Sequence, residues 1–298
     1  MLKLDSLLAF VTTAEAGSIS EAARRLQISK SVASERLAEL ERNVGATLVH
    51  RSTRKLVLTE DGSAFLERAK RILREVSEAT AEVSERRGEL VGPLRISAPV
   101  SFGILHLASA LSSFLRENPR IELSVDLDDR FVGAVDGFDA IVRHGPLPDS
   151  GWIAKRIAPS RRRLVASPDY LKTHATPRTI GDLEQHRGII YSNRGASDWR
   201  FRQSGRWSVV RPGAVMRVNN GIIMRDAAVE GLGIALLATF VFHNSLASGK
   251  LRLLDVGAEA EPAAVFIAYP YARRVCAKVL ALIAHLRAAF GTPPYWER

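Results

Sequence analysis

Two clusters near the start of this 298-residue chain hold the side chains best suited to chemistry. Ser29, Lys30, Ser31, Ser34, Glu35 and Arg36 fall within eight residues. Short hydroxyls, an acid and cations in one run are the groups that hydrogen-bond to base edges in a duplex groove. Arg51, Arg54 and Lys55 follow in a basic turn, where such groups can hold phosphates or enter the minor groove. Signatures of catalysis are missing. The sequence has no Gly-x-x-x-x-Gly-Lys-Ser/Thr, no His-Glu-x-x-His and no Gly-x-Ser-x-Gly. Gly231-Leu-Gly233-Ile is half a dinucleotide fingerprint without its third glycine. The seven histidines (His50, His106, His144, His174, His186, His243, His285) lack metal-ligand spacing, and the single cysteine, Cys276, supplies no zinc set. The expectation is a chain with no catalytic residues, no metal and no cofactor.

The elements around those clusters follow from spacing. Leu4, Leu7, Leu8, Phe10, Val11 and Ala14 recur at helical intervals up to Gly17. Ser18-Ile-Ser-Glu21 matches a capping box, so a second helix begins at Ser18, with Ala22 and Ala23 small enough for close packing. A break at Gln27–Ser29 leads to a third helix, Lys30 to Val44, stopped by Gly45. Val32 or Ala33, with Leu37, Leu40 and Val44, faces inward; Ser31, Ser34, Glu35 and Ala38 face away. Two helices joined by a tight turn, the second exposing short polar groups, fit the major groove. Two short strands around Arg51–Lys55 make a wing. Thr59 caps a long helix whose Leu66, Ala69, Leu73, Val76, Thr80 and Val83 form a heptad stripe widened by Phe65, Ile72 and Ala79. Such a stripe pairs two copies or packs on its own domain. Gly92-Pro93 ends that pattern.

Composition bounds the rest. With 46% apolar and 25% charged residues, the chain can build a sizeable core and divides into about two domains. Net charge is +10, but residues 1–90 hold 15 basic against 14 acidic side chains. The support for nucleic acid is therefore local: eight basic residues within 24–55 against Glu35, Glu39 and Glu41. Cys276 reads as a core residue, and one thiol forms no internal disulfide. No run reaches the roughly 18 apolar residues of a membrane span, and the start, with Asp5 and Glu15, lacks a secretory pattern. A cytoplasmic protein without membrane contact is expected.

From Leu94 onward, strands alternate with helices. Leu94–Ala98, Ile121–Leu127 and Asp139–Arg143 surround the helical run Ile104–Glu117. A second set comprises Ile153–Ile157, Arg163–Ser167, Gly188–Tyr191, Val215–Val218 and Ile234–Leu237, with a helix over Asn219–Gly231. Strand Ala263–Tyr269 and helix Arg273–Phe290 finish the chain. The alternation predicts parallel-type sheets.

The chain resembles the LysR-type transcriptional regulators. The residues that carry the resemblance are Ala9-Phe10-Val11, Ala14-Glu15-Ala16-Gly17-Ser18, Ala22-Ala23-Arg24-Arg25-Leu26, Ile28-Ser29, Ser34, Leu40-Glu41 and Gly45, then Leu48, Arg51, Arg54 and Leu58-Thr59-Glu60-Asp61-Gly62. Lys30-Ser31 stands where the family usually has Gln-Pro, and Glu35 replaces a basic or amide residue. The resemblance implies an α/β protein with an N-terminal winged helix-turn-helix (residues 1–59, the helix-turn-helix about 19–38), a long linker and dimerisation helix (60–88) and a C-terminal bilobed, periplasmic-binding-protein-like effector domain (93–298). Lobe I would span about 93–163 and 270–298, and lobe II about 164–269, with crossings near Arg163–Ser167 and Tyr269–Tyr271. It further implies a homodimer or homotetramer on an inverted-repeat promoter site in double-stranded DNA, RNA polymerase as a partner, and a small-molecule effector between the lobes.

Strand ends would line that cleft: Pro99, Val100, Ser101 and Phe102, then Arg143 and His144, Tyr191 and Asn193, and Asn219 and Asn220. Ser101 reads equally as a helix cap or a ligand contact. His144 reads first as a hydrogen-bonded surface residue, and Asn219 as a cap. Arg161-Arg162-Arg163 reads as a solvated run. The basic body suggests an anionic effector such as a carboxylated metabolite. Two other readings are a small-molecule binding protein with a vestigial head and a DNA-binding protein that senses nothing.

Overall fold

The computed structural model describes residues 2–51, 56–85, 89–130, 137–145, 151–193, 199–271 and 276–298. The chain falls into two compact units, Met1–Glu89 and Leu90–Arg298. Among the described residues no helix is long and apolar enough to cross a membrane.

The first unit holds helices α1 (Leu4–Ala16), α2 (Ile19–Arg25) and α3 (Lys30–Val44), strands β1 (Val49–Arg51) and β2 (Leu56–Leu58), and helix α4 (Glu60–Glu85). Gly17, at φ 67°, ends α1 in the left-handed region. The Ser18 hydroxyl caps α2 by accepting the Glu21 N–H at 3.1 Å. The expected reciprocal half of the box does not form. The Glu21 carboxylate accepts from Arg24 at 2.6 Å and Arg25 at 3.1 Å, because cations one turn on outcompete a neutral backbone N–H. Leu7, Phe10, Val11, Leu37, Leu40, Leu48, Val49 and Ala69 form the core. Ala33, fully buried, is the inward residue, while Val32 is exposed. The wing strands pair antiparallel, with Val49 opposite Leu58 and Arg51 opposite Leu56.

Two contacts set the wing against the helices. The Glu41 carboxylate accepts the N–H groups of Leu48 at 2.9 Å and Val49 at 3.2 Å. Thr59 caps α4 by accepting the Gly62 N–H at 2.8 Å, and a Cβ on Gly62 would stand 1.9 Å from the Leu48 carbonyl oxygen. The apolar stripe of α4 divides in two. Ala69 is buried, and Phe65, Leu66 and Leu73 pack on the head's core. Ile72, Val76 and Val83 are exposed.

The second unit begins with β3 (Gly92–Ala98), α5 (Val100–Phe102), a π-turn (Gly103–Leu107), α6 (Ala108–Glu117), β4 (Ile121–Leu127), β5 (Ala140–His144) and β6 (Trp152–Pro159). It continues through β7 (Arg162–Ala166), α7 (Pro168–Thr173), β8 (Arg187–Tyr191), β9 (Arg200–Gln203), β10 (Arg206–Val209), β11 (Gly213–Val218), α8 (Gly221–Val229), β12 (Ile234–Ala238) and α9 (Thr239–Ala247). It closes with β13 (Arg252–Leu254), β14 (Glu259–Ala260), β15 (Ala264–Pro270), α10 (Ala277–Phe290) and a 3-10 turn at Tyr295–Glu297. One lobe is built on the sheet β4-β3-β5-β15-β6 and the other on β11-β8-β12-β7-β13, with a small sheet β10-β9-β14.

The expected parallel-type sheets are mixed. β3 runs parallel to β4 and β5, and β8 to β11 and β12. β15 is antiparallel to β5 and β6, and β7 to β12 and β13. The lobe crossings also move. β7 already belongs to the second sheet and β15 to the first, so the chain crosses at residues 160–161 and returns at 261–263, earlier than expected at both points. An apolar strand reads alike whichever sheet takes it; hydrogen-bond pairing decides. The strand over 153–157 lies in the first sheet. Cys276 is half-buried just before α10.

The final turn straps the first crossing. The Trp296 indole N–H donates to the Pro159 carbonyl at 3.0 Å. The Glu297 carboxylate accepts from the Arg161 N–H and guanidinium, each at 2.8 Å, and from the Thr239 hydroxyl. Burial pushes that carboxyl up, but those bonds outweigh it and hold the group below its ordinary value. His106 lies under the strap, between the Tyr295 hydroxyl and the Phe240 carbonyl. Burial lowers its pKa from 6.5 to about 4, and burial lowers His186 as well.

Two outcomes follow. Gly62→Ala drives a methyl into backbone and should cost about 1–3 kcal/mol, read as a lower thermal midpoint; an unchanged midpoint would contradict the contact. Between about pH 6.5 and 4 the unfolded chain holds a proton that folded His106 refuses, so stability should fall as pH falls through that window. The full contribution is on the order of 3 kcal/mol. Urea unfolding at about pH 7 and about pH 5 should show a smaller acid loss for His106→Gln than for the parent; equal losses would contradict it.

Candidate nucleic-acid interface and ligand cleft

Helix α3 sorts its side chains by angle. Ala33, Leu37 and Leu40 are fully buried, and at about 100° per residue the opposite face carries Ser31, Glu35, Ala38 and Arg42. Ser31, Glu35 and Arg42 are exposed; Ser34, on the flank, is half-buried. Ser29 caps the helix, accepting the Val32 N–H at 3.2 Å, and its hydroxyl meets that of Ser31 at 2.8 Å. Lys30 is exposed beside them. Arg36 departs from this group. It lies on the other flank, about 200° from Ser34, and donates to the Asp5 carboxylate at 2.8 Å. Arg42, which the sequence reading did not select, shares the stripe; its i, i+4, i+7, i+11 spacing from Ser31 was the available signal. Arg51 ends β1, and Arg54 and Lys55 lie outside the described residues.

The second unit encloses a cleft of about 350 Å³. Of the ten expected residues it brings together six: Pro99, Ser101, Arg143, His144, Tyr191 and Asn193. The other four do not line it. Phe102 is fully buried, with its ring against Phe240, Phe290 and Trp296. The Val100 N–H is engaged by Asp129. Asn219 is exposed. Asn220, rather than Asn219, is the cap of α8, accepting from Ile222 and Ile223. Arg162, expected in a solvated run, is buried and lines the cleft. His144 is half-buried, its ring 3.3 Å from the Ser160 carbonyl oxygen.

The loop after β4 contributes acids that sequence spacing did not reveal. Asp129 accepts the Val100 N–H at 3.0 Å with one oxygen and the Asn220 amide at 3.1 Å with the other. Its own carbonyl accepts from the Asn193 amide at 2.6 Å. Asp129 therefore ties the first lobe to two positions of the second. Burial raises its pKa, against the bonds from Val100 and Asn220. Asp128 is held low by hydrogen bonds from Arg130. Arg143 is pulled down by burial and supported by the charges of Asp128 and Asp129. The polar end of the cleft thus carries both signs, while Met224, Leu237, Phe240 and Val241 supply apolar walls. Among the described residues no group of three His, Cys, Asp or Glu side chains could hold a metal.

Comparison with known proteins bears on both regions. Residues 4–63 match the profile of the bacterial regulatory helix-turn-helix protein, lysR family, and residues 87–291 match the LysR substrate binding domain. The chain is 31% identical over 296 residues to the HTH-type transcriptional regulator PtxR of Pseudomonas aeruginosa, covering 99% of this chain and 95% of that one. It is 30% identical over 284 residues to an uncharacterized HTH-type transcriptional regulator of Haemophilus influenzae, covering 94% and 98%. Among solved structures, the full-length Vibrio cholerae virulence activator AphB aligns with TM-score 0.63 at 27% identity, covering 96% of this chain and 99% of that one. CrgA of Neisseria meningitidis aligns with TM-score 0.56 at 29% identity, covering 96% of each.

Proposed function

The chain belongs to the LysR family of bacterial transcriptional regulators, and on that premise we propose how its residues divide the work. It is a DNA-binding transcriptional regulator with a helix-turn-helix head and an effector-binding domain. In our reading, α3 enters the major groove with Ser29, Lys30, Ser31, Ser34 and Glu35 toward base edges and the near phosphates. Glu35 can accept from cytosine N4. Arg36 contributes only if it leaves Asp5, an exchange that costs little at an exposed ion pair. The wing brings Arg51, Arg54 and Lys55 to phosphates or the minor groove. The observation that carries this reading is the stripe Ser31-Glu35-Ala38-Arg42 lying opposite a fully buried face, with Ser34 on its flank.

One such helix reads few bases, so two copies on an inverted repeat are required. The exposed apolar half of α4, with Ile72, Val76 and Val83, is the surface we assign to pairing, as a dimer or as a pair of dimers. The cleft between the lobes is the effector site. Its ligand regulates by binding one degree of lobe closure better than the other. RNA polymerase is the partner such regulation acts on, in the cytoplasm. We read the protein as a regulator without enzymatic activity, as its relatives are transcriptional regulators.

Mobility-shift titrations with the chain's own upstream region test the head. Arg51→Ala with Arg54→Ala should weaken binding to all sequences. The slope of log affinity against log salt should become shallower by about 0.9 for each phosphate that the variant no longer neutralises. Ser34→Ala should change the preferred sequence at unaltered salt slope. An unchanged slope in the double variant would overturn the wing assignment.

A further inference from the structure

The cleft assigned above to the effector carries opposite charges at one end, and we propose that its ligand is a small zwitterion of the α-amino-acid type. The ligand carboxylate faces Arg143 and Ser101, its ammonium faces Asp129, and its side chain lies along Phe240 and Val241. This proposal rests on the reading of the cleft as the effector site and adds the chemistry of what enters it.

Ser101 supplies the first observation. It is 5% exposed, it lines the cleft, and its hydroxyl has no hydrogen-bond partner. A buried hydroxyl is normally satisfied, so a ligand oxygen there completes it. Gly221 also lines the cleft; a Cβ there would stand 3.3 Å from the Ser101 oxygen and 3.2 Å from Val241, crowding both.

Charge supplies the second. Arg143 is 7% exposed, and its guanidinium is aimed by bonds to the Val142 carbonyl at 2.7 Å and the Ser97 hydroxyl at 3.0 Å. Those use two of the roughly five donors of a guanidinium, and the fork that remains suits a carboxylate. Asp129 uses two of about four acceptor sites, on Val100 and Asn220. Asp128 is not available for the ammonium, because Arg130 clamps it at 3.0 and 3.2 Å.

The combination excludes as well as selects. The Asp129 carboxylate already sits on the backbone N–H where a simple anion would bind, and it repels one. Arg143 repels a simple cation. Arg130 and the buried Arg162 also line the cleft, and a molecule carrying both charges meets complementary partners at Arg143 and Asp129. A cleft of about 350 Å³ is at the small end of ligand sites, in keeping with an amino acid and a modest apolar side chain. The anionic effector expected from net charge is thereby replaced by one with no net charge.

The test uses the full-length protein. Thermal shift followed by isothermal titration is run with the standard α-amino acids, each beside its deaminated carboxylic acid and its decarboxylated amine. At least one amino acid should bind about tenfold or more tightly than both truncated analogues. Asp129→Asn should remove the advantage over the deaminated acid, weakening the amino acid and strengthening the acid as the repulsion is lifted. Gly221→Ala, which crowds the Ser101 hydroxyl, should weaken the amino acid and the acid together. Retained binding of upstream DNA confirms that each variant is folded. A deaminated acid that binds as well as its amino acid overturns the zwitterion while leaving the cleft as the site, provided Gly221→Ala still weakens it. A ligand indifferent to both variants overturns the cleft itself, and binding by no amino acid overturns the proposed class.

Discussion

Everything the head can do depends on one face of α3 being committed to its core. Ala33, Leu37 and Leu40 have no exposed surface, so the polar residues between them are forced outward. The caps fix this rotational phase. Ser18 starts α2 and Ser29 starts α3, each through a hydroxyl that accepts a first-turn N–H. A start shifted by one residue would turn the helix by about 100° and exchange buried for exposed side chains. Glu41, on that same helix, holds Leu48 and Val49, so the exposed stripe and the start of β1 are tied to one helix. Gly62 then lets α4 start against the wing without displacing Leu48.

The second unit shows a different economy. Its sheets are joined by two short crossings, and the first of them is gripped by Trp296 and Glu297. Asp129 joins the lobes again through Asn220 and Asn193. The lobes also share apolar packing, with Phe102 of the first on Phe240 of the second, so lobe closure rests on these polar contacts as well. Such contacts can be exchanged for ligand contacts at small net cost. The unsatisfied Ser101 hydroxyl and the bonded Arg143 both line that cleft.

Local features were legible in the sequence because their causes are local. The bounds of α3 follow from Ser29 and Gly45, the wing from two short strands around a basic turn, and the start of α4 from Thr59. What could not be read depends on residues far apart. Arg36 looked like one more basic contact, but Asp5 lies 31 positions away. Val100 and Phe102 adjoin Ser101 in sequence, yet one gives its N–H to Asp129 and the other faces the ring cluster. Strand direction was not legible at β7 and β15, nor lobe membership at β15, because apolar strands carry no mark of their partner. The hairpin β9–β10 and helix α9 lacked a clear period. Asp128 and Asp129, which bring acid to the cleft, sit in a loop without a motif.

Hydrogen exchange on the full chain, free and bound to its own upstream duplex, tests the central claim most directly. The Lys30 and Ser31 amides at the start of α3 have no backbone partner within the helix and should exchange fast in the free protein, whereas that of Val32 is capped by Ser29. The account predicts that binding slows exchange across residues 29–38. A stable complex in which that segment exchanges as it does in the free protein would contradict it.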